Sequence, residues 1–267
     1  MLEKPAFRSQ KYALMFQDAS VVQVYHQRPP YPAQVYDKLV ELIDPEIDAL
    51  LDVGTGLGEI ARAMAARVGR VDAVDFSERM IARARTLPGG NNPRITWTVS
   101  HVETARLTGP YGLITAAGCL HWFDLNVVMP RFSDILSPSG YLAIVEREWQ
   151  TGIRDSDIIG EFSANRDFKS WDMVDALQKA GLFEVLGEVE AGRISWQPTI
   201  DVYLECRHSQ NGLSRERMGK KQVSAFDERV RARIRQQISE GSVRVVNGQI
   251  QGECIGTIVW GKPKRLE

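Results

Sequence analysis

Leu50-Leu51-Asp52-Val53-Gly54-Thr55-Gly56-Leu57-Gly58-Glu59 is the stretch that decides the fold. It begins apolar, passes through Asp52 and turns on three alternating glycines before a helix-forming run that reaches Val68. This pattern predicts a strand, a tight turn and a helix. Glycine has no Cβ, so the backbone of such a turn can come within contact distance of a ligand, while the helix start offers free N–H groups. We therefore expect a ligand-binding corner.

Short apolar segments alternate with helical patterns on both sides of this turn. The predicted strands are 49–53, 70–75, 95–99, 112–117 and 141–145, and the predicted helices are 33–43, 59–68, 78–85 and 127–136. Ser77 stands where it can cap the helix that follows the second strand. Five strands alternating with helices predict a doubly wound, mostly parallel α/β sheet.

The second half of the chain has a looser pattern. We expect a helix over 171–180, an extended segment over 183–196, helices over 200–207 and 225–238, and a last strand over 250–260. Residues 200–242 are interpreted as a helical insertion before that strand. The chain is predicted to be one domain, with an N-terminal lid (1–32), a core (33–148), a substrate cover (149–242) and a last strand with its tail (243–267).

Composition narrows the class of protein. The 267 residues carry a formal charge of -1, with 33 Lys and Arg against 34 Asp and Glu, which does not favour a nucleic-acid partner. Three widely spaced cysteines predict neither a disulfide framework nor a metal site. The first residues lack an apolar signal region, and no later run reaches the ~18 apolar residues of a membrane span. We expect a cytoplasmic monomer or homodimer without a membrane partner.

The spacing of the glycines bears on the ligand. The dinucleotide fingerprint would place its third glycine at position 59, which is Glu59 here, whereas the third glycine of this turn is Gly58. A P-loop would end in Gly-Lys and a hydroxyl residue, which this stretch lacks. The motif present has an acidic residue, Asp52, two positions before the first glycine.

This motif resembles the first motif of the class I S-adenosylmethionine (SAM) dependent methyltransferases, and the resemblance covers roughly residues 14–148. Asp75 matches the acidic residue that grips both ribose hydroxyls, since a carboxylate can accept two hydrogen bonds from a vicinal diol. Residues 99–103 match the segment that lines the adenine, although His101 stands where the family usually has Asp, so that backbone or Glu103 would hold the adenine amino group. The resemblance implies a seven-stranded Rossmann-like sheet with SAM as cofactor and these binding residues: Arg28, Asp52, Gly54, Thr55, Gly56, Asp75, Phe76, Met80, His101, Val102, Glu103 and Ala117.

A narrower resemblance, to the trans-aconitate-type branch of small-molecule methyltransferases, rests on three segments. They are Tyr25-His26-Gln27-Arg28-Pro29, His121-Trp122-Phe123-Asp124 and Trp260-Gly261-Lys262-Pro263. The branch implies a carboxylate or hydroxyl oxygen as acceptor, and in this interpretation Arg28 meets the methionine carboxylate of SAM. Trp122, Trp149 and Tyr203 are the expected substrate-binding residues.

Methyl transfer depends chiefly on alignment, which can supply ~7 to 11 kcal/mol. If the acceptor needs a general base, His121 is the first candidate and His208 the second, and Tyr25 could hold the cationic donor. Transfer to a thiol or amine, and a SAM-binding protein without transfer activity, such as a cyclase or a regulator, are the alternatives. A methyltransferase acting on macromolecules and a nicotinamide dehydrogenase fit the charge balance and the glycine spacing less well.

Overall fold

A seven-stranded sheet runs through the middle of the computed structural model, which describes residues 1–265. Its order is β3-β2-β1-β4-β5-β9-β6, and neighbouring strands are parallel except where β9 pairs with β5 and β6. The strands are β1 (Ala49–Val53), β2 (Arg70–Asp75), β3 (Ile95–Val99), β4 (Tyr111–Ala117), β5 (Leu136–Gln150), β6 (Phe183–Trp196) and β9 (Gly252–Pro263). The predicted doubly wound α/β fold is confirmed.

Helices cover both faces of this sheet. The helices of the lid and core are α1 (Gln10–Ala13), α2 (Ala19–Val24), α3 (Ala33–Leu42), α4 (Glu59–Met64), α5 (Glu78–Thr86) and α6 (Leu125–Ile135). Apolar residues of α3 and α4 pack on one face, and those of α6 pack on the other. Because β1, β2 and β4 are parallel, their carboxyl ends meet at one edge of the sheet, where crevices form in open α/β folds.

The predicted first and second strands agree with β1 and β2 residue for residue, and Ser77 caps α5 by accepting a hydrogen bond from Met80 N. Several predicted bounds differ. The helix after the glycine turn ends at Met64 rather than Val68, and the helix predicted over 225–238 begins at Lys220 rather than Ala225. Strand β5 runs from Leu136 to Gln150 rather than from Tyr141 to Val145. The extension of β5 follows from pairing, because the strand remains in antiparallel register with β9 from Leu142 to Gln150.

The cover has a hydrophobic core of its own. It contains α7 (Ser156–Phe162), α8 (Met173–Lys179), α9 (Ile200–His208), α10 (Arg215–Met218) and α11 (Lys220–Ser239). The hairpin of β7 (Val245–Val246) and β8 (Gln249–Ile250), which follows the cover in sequence, packs on the same core. Of these helices, α8 packs on the sheet instead. The predicted insertion therefore exists, and it extends through the hairpin up to β9. Among residues 1–265, no helix is both long and apolar enough to cross a membrane.

Candidate active site

The glycine turn after β1 has a backbone that only glycine adopts readily. Gly54 and Gly58 have φ angles of 60° and 70°, in the left-handed region. A Cβ on Gly58 would lie 2.2 Å from the ring of Trp97, and one on Gly54 would lie 2.7 Å from Cys119 Cβ. The spacing of the glycines therefore reflects two close approaches as well as the turn itself.

Asp52 supports this turn from beneath. Its carboxylate accepts hydrogen bonds from the hydroxyls of Thr55, at 2.5 Å, and Thr115, at 2.8 Å. Burial raises the pKa of Asp52 to about 6, although both hydroxyl hydrogen bonds lower it. The side chain thus links β1, the turn and β4, and it also lines a cavity at this edge of the sheet.

Asp75 ends β2 beside the same turn. One carboxylate oxygen accepts from Gly56 N at 2.8 Å, and the other accepts from Ser77 N at 2.8 Å. Burial raises the pKa of Asp75 to about 6, against the lowering effect of these two bonds. Each carboxylate oxygen can accept a further bond, so the group can still receive two donors from a ligand.

A cavity of about 320 Å³ opens beside Asp75. Phe76 and His101 form one wall as stacked rings with centroids 5.4 Å apart. This separation leaves no room for a third ring between them, so a planar ligand would lie against the pair. The walls also include Leu14 of the lid and these predicted binding residues: Val102 and Glu103.

A second cavity, of about 520 Å³, lies on the other side of the turn and is lined by Asp52, Thr55, Ala117, Tyr25 and Arg28 among others. A narrower space lined by Gly56, Met80 and Trp122 lies between the two, and Gly54 lines all three. The predicted binding residues from Arg28 to Ala117 therefore converge on one cleft that passes over the glycine turn.

Arg28 is held by protein partners in this cleft. Its guanidinium donates to Ser209 Oγ, to Ser209 O and to the Tyr25 hydroxyl, and lies 4.0 Å from the Tyr25 ring centroid. Desolvation lowers the pKa of Arg28. The residue lines the larger cavity, and its remaining N–H groups can make the predicted contact with a ligand carboxylate.

The core of the chain is similar to known methyltransferases. Residues 50–140 match the family model described as a methyltransferase domain. A putative type II methyltransferase from Anaeromyxobacter dehalogenans has the same fold, with a TM-score of 0.59 at 21% identity over 90% of this chain and 99% of that one. Residues 50–140 of the chain therefore correspond to a methyltransferase domain.

Two further proteins that are similar to this chain are methyltransferases as well. An uncharacterized methyltransferase of Mycobacterium bovis is 32% identical over 120 residues, 43% of this chain and 60% of that protein. A SAM-dependent methyltransferase from Geobacter sulfurreducens, in complex with S-adenosylhomocysteine (SAH), has a TM-score of 0.50 at 15% identity, over 99% of this chain and 100% of that one. The chain spans about half the length of the curated relatives it matches, from 44% to 60%. The class I prediction is confirmed, whereas the narrower trans-aconitate-type resemblance stays a prediction.

His121 of the methyltransferase domain lies just past β4, next to Trp122. Its ring centroid is 4.6 Å from that of Trp122, on the short helical turn Leu120–Trp122. Burial lowers the pKa of His121 to about 3, with further lowering from the charges of Arg8 and Lys4. The imidazole is therefore neutral at physiological pH and a weak base, which weakens the prediction that it takes a proton from the acceptor.

The other histidine of the prediction, His208, lies inside the cover. Its imidazole is 1% exposed, with one nitrogen 2.8 Å from Leu213 O and the other 2.7 Å from Asp227 Oδ1. It lines none of the three spaces of the cleft. Trp149 and Tyr203, predicted to bind substrate, line a separate cavity of about 190 Å³. The structure therefore does not bring these three residues to the cleft.

The contacts of Glu59 explain why position 59 is not a glycine. Glu59 accepts a hydrogen bond from Tyr31 N at 2.9 Å and pairs with Arg147 at 2.8 Å. Arg147 in turn donates to Pro29 O and lies over the Tyr31 ring. This residue of α4 thus joins the lid to β5 instead of providing close packing between helix and strand.

The sequence interpretation missed two charged residues near the cleft, Glu146 and Arg8. Glu146 follows the apolar run of β5 just as Asp75 ends β2, so the same rule about strand ends could have found it. No sequence signal marks Arg8, because its position depends on how the lid folds across the end of the sheet.

Proposed function

We propose that this chain transfers a methyl group from SAM to an oxygen of a small-molecule acceptor. The observation that carries the proposal is the position of Asp75. Its carboxylate ends β2 beside the glycine turn, holds that turn through Gly56 N and still faces two of the three spaces of the cleft. A buried acidic group with acceptor capacity to spare suits a vicinal diol.

The residues of the cleft fit SAM along its length. The space lined by Phe76, His101 and Val102 suits a planar base, and Asp75 suits a ribose. The larger cavity has Arg28, a cation suited to a carboxylate, at its edge. A structural neighbour from Geobacter sulfurreducens holds SAH, which supports the same ligand here.

SAM, when bound, supplies a methyl group on a positively charged sulfur. The residues of this chain would then contribute by orientation, since holding two reactants in line can supply ~7 to 11 kcal/mol. Phe16, Tyr25 and Trp122 line the narrow part of the cleft, where they exclude water and offer aromatic faces to a cation. Asp75 and the glycine turn fix the position of the donor.

A small acceptor is favoured over a macromolecule. The formal charge of -1 gives no general attraction for nucleic acid, and the lid places α1 and Phe16 directly over the cleft. We propose a protein that acts without a nucleic-acid or membrane partner, in the cytoplasm. Transfer to nitrogen or sulfur, and binding of SAM without transfer, are the competing functions.

Calorimetric titration with SAH tests the donor assignment. Asp75→Ala should weaken SAH binding by ~10²- to 10⁴-fold, because two hydrogen bonds to a charged group are lost. Asp72→Asn is the matched control on the same strand, since Asp72 accepts from the Tyr111 hydroxyl at 2.7 Å and lines none of the cleft's three spaces. Unchanged SAH affinity in Asp75→Ala would refute the assignment. Formation of SAH from labelled SAM with a metabolite extract would exclude a binding protein without transfer.

A further inference from the structure

Glu146 is a carboxylate beside Gly118, a residue that lines the narrow space of the cleft, and the donor-binding residues leave it unused. It lies at the level where β4 ends, 3.9 Å from the point that a Cβ on Gly118 would occupy. The side chain is exposed, yet no hydrogen bond or ion pair to it occurs among residues 1–265. A carboxylate without a partner beside the cleft is available to a ligand.

Arg8 of the lid has a complementary position. Its guanidinium lies between two aromatic rings, 5.5 Å from the Trp122 centroid and 4.8 Å from that of Phe168. Its Nε atom is buried and has no hydrogen-bond partner among the described residues. Rings on two sides fix the guanidinium, while one of its donors remains unsatisfied, which favours an anionic ligand.

The two groups influence each other without forming an ion pair. Although Glu146 keeps an accessible surface, the protein atoms around its carboxyl group displace enough water to raise its pKa to about 7, and the positive charges of Arg8 and Arg147 lower it. The other titratable groups that face it are Tyr31 and Cys119, each with a pKa raised chiefly by burial and additionally by the Glu146 charge. Arg147 is already paired with Glu59, so Arg8 is the cation that remains available to a ligand.

We propose that Glu146 and Arg8 form the acceptor site of this methyltransferase, and that the acceptor is an aromatic hydroxyl compound bearing a carboxylate. Glu146 takes the hydroxyl proton, Arg8 binds the carboxylate, and Trp122, which lines the narrow space of the cleft, contacts the aromatic body. The inference rests on the proposed function and specifies its acceptor.

The chemistry of Glu146 and Arg8 favours a hydroxyl oxygen over a carboxylate oxygen as the methyl acceptor, a choice that the sequence leaves open. A carboxylate acceptor is already ionised at neutral pH and needs no base, and Glu146 would repel it. A phenol, with a pKa of about 10, gains from a base beside it. In the transfer, the O–H proton passes to the Glu146 carboxylate as the acceptor oxygen bonds to the methyl carbon. The carbon–sulfur bond breaks, and its electron pair stays on sulfur, which becomes neutral.

The first test uses binding rather than turnover. The probes are 4-hydroxybenzoate, 3,4-dihydroxybenzoate and 4-hydroxyphenylacetate, each with the alcohol analogue that lacks the carboxylate, titrated into the SAH complex. The wild type should bind at least one acid at least tenfold more tightly than its alcohol. Arg8→Gln should remove this preference and Arg8→Lys should retain part of it, with SAH affinity within about twofold of wild type. Binding of none of the acids, or a preference that survives Arg8→Gln, would overturn the acceptor class.

The second test concerns the proton. Glu146→Gln should lower the rate of transfer to the bound probe by ~10²- to 10⁴-fold and remove the rise of rate with pH near 7. SAH affinity and the melting temperature should change little, as they should in the control Glu148→Gln on the same strand. An unchanged rate and pH profile would refute the role of Glu146. Failure of the wild type to bind SAH would instead refute the proposed function itself.

Discussion

The donor side and the acceptor side of the cleft are built by different means. The donor side consists largely of backbone, with left-handed glycines and a carboxylate, Asp75, that is bound to two backbone N–H groups. The acceptor side consists of two side chains, Glu146 and Arg8, that come from β5 and from the lid and make no bond to each other. Backbone geometry therefore fixes the donor, whereas side chains without partners select the acceptor.

The largest expected effect comes from the backbone of the donor side. Gly58→Ala should lower the free energy of unfolding by about 3 to 5 kcal/mol, because it adds a strained φ of 70° to a clash with Trp97. Urea denaturation followed by fluorescence measures this. Gly181→Ala is the matched control, since Gly181 has a φ of 69° but no atom within 4 Å of the added Cβ. Equal losses in both variants would show that strain, not the Trp97 contact, limits the turn.

A smaller effect should follow from the buried carboxylate beneath the turn. The folded-state pKa of Asp52, about 6, lies above its ordinary value of 3.8, so between these two pH values the folded state binds more protons and stability falls as pH rises. Asp52→Asn removes this loss. Relative to wild type, the variant should gain about 1 to 3 kcal/mol on going from pH 4 to pH 7.5. Denaturant titrations at both pH values measure the gain, and a relative loss would contradict the direction of the shift.

The smallest effect concerns His121, the base favoured by sequence. Because the pKa of His121 is about 3, it carries no charge between pH 6 and pH 9. His121→Asn should therefore reduce turnover by less than about tenfold and leave the pH profile of transfer unchanged. Steady-state kinetics across that pH range provide the measurement. Loss of the pH-dependent limb in this variant, with Glu146→Gln unaffected, would move the proton transfer to the imidazole.

The donor side was predictable because its signals are local. The strand, the glycines and Asp75 lie within about 25 neighbouring positions and follow from chain geometry alone. Trp97 shows the limit of this approach, since its close approach to Gly58 joins β3 to the turn and leaves no mark in the local pattern.

The positions of His208 and Arg8 depend on contacts between distant segments of the chain, which the local sequence pattern does not show. His208 is the second candidate base from the sequence, but its partner Asp227 is 19 residues further along the chain and holds it inside the cover. The lid places Arg8 beside Trp122 through packing that its own sequence does not specify. By contrast, Glu146 directly follows the predicted strand 141–145, a signal that is visible in the sequence and was passed over.

Arg28 mechanically connects the lid to the cover. It lies 181 positions before Ser209, yet its guanidinium joins the Tyr25–Gln27 turn to the end of α9 through bonds to both the hydroxyl and the carbonyl of that serine. Cys206 adds a further bond, from its thiol to Gln27 O at 2.9 Å. The turn cannot move away from the cleft independently of α9 without breaking all of these hydrogen bonds. If the cleft opens on this side, the turn and α9 must therefore move together as one rigid unit.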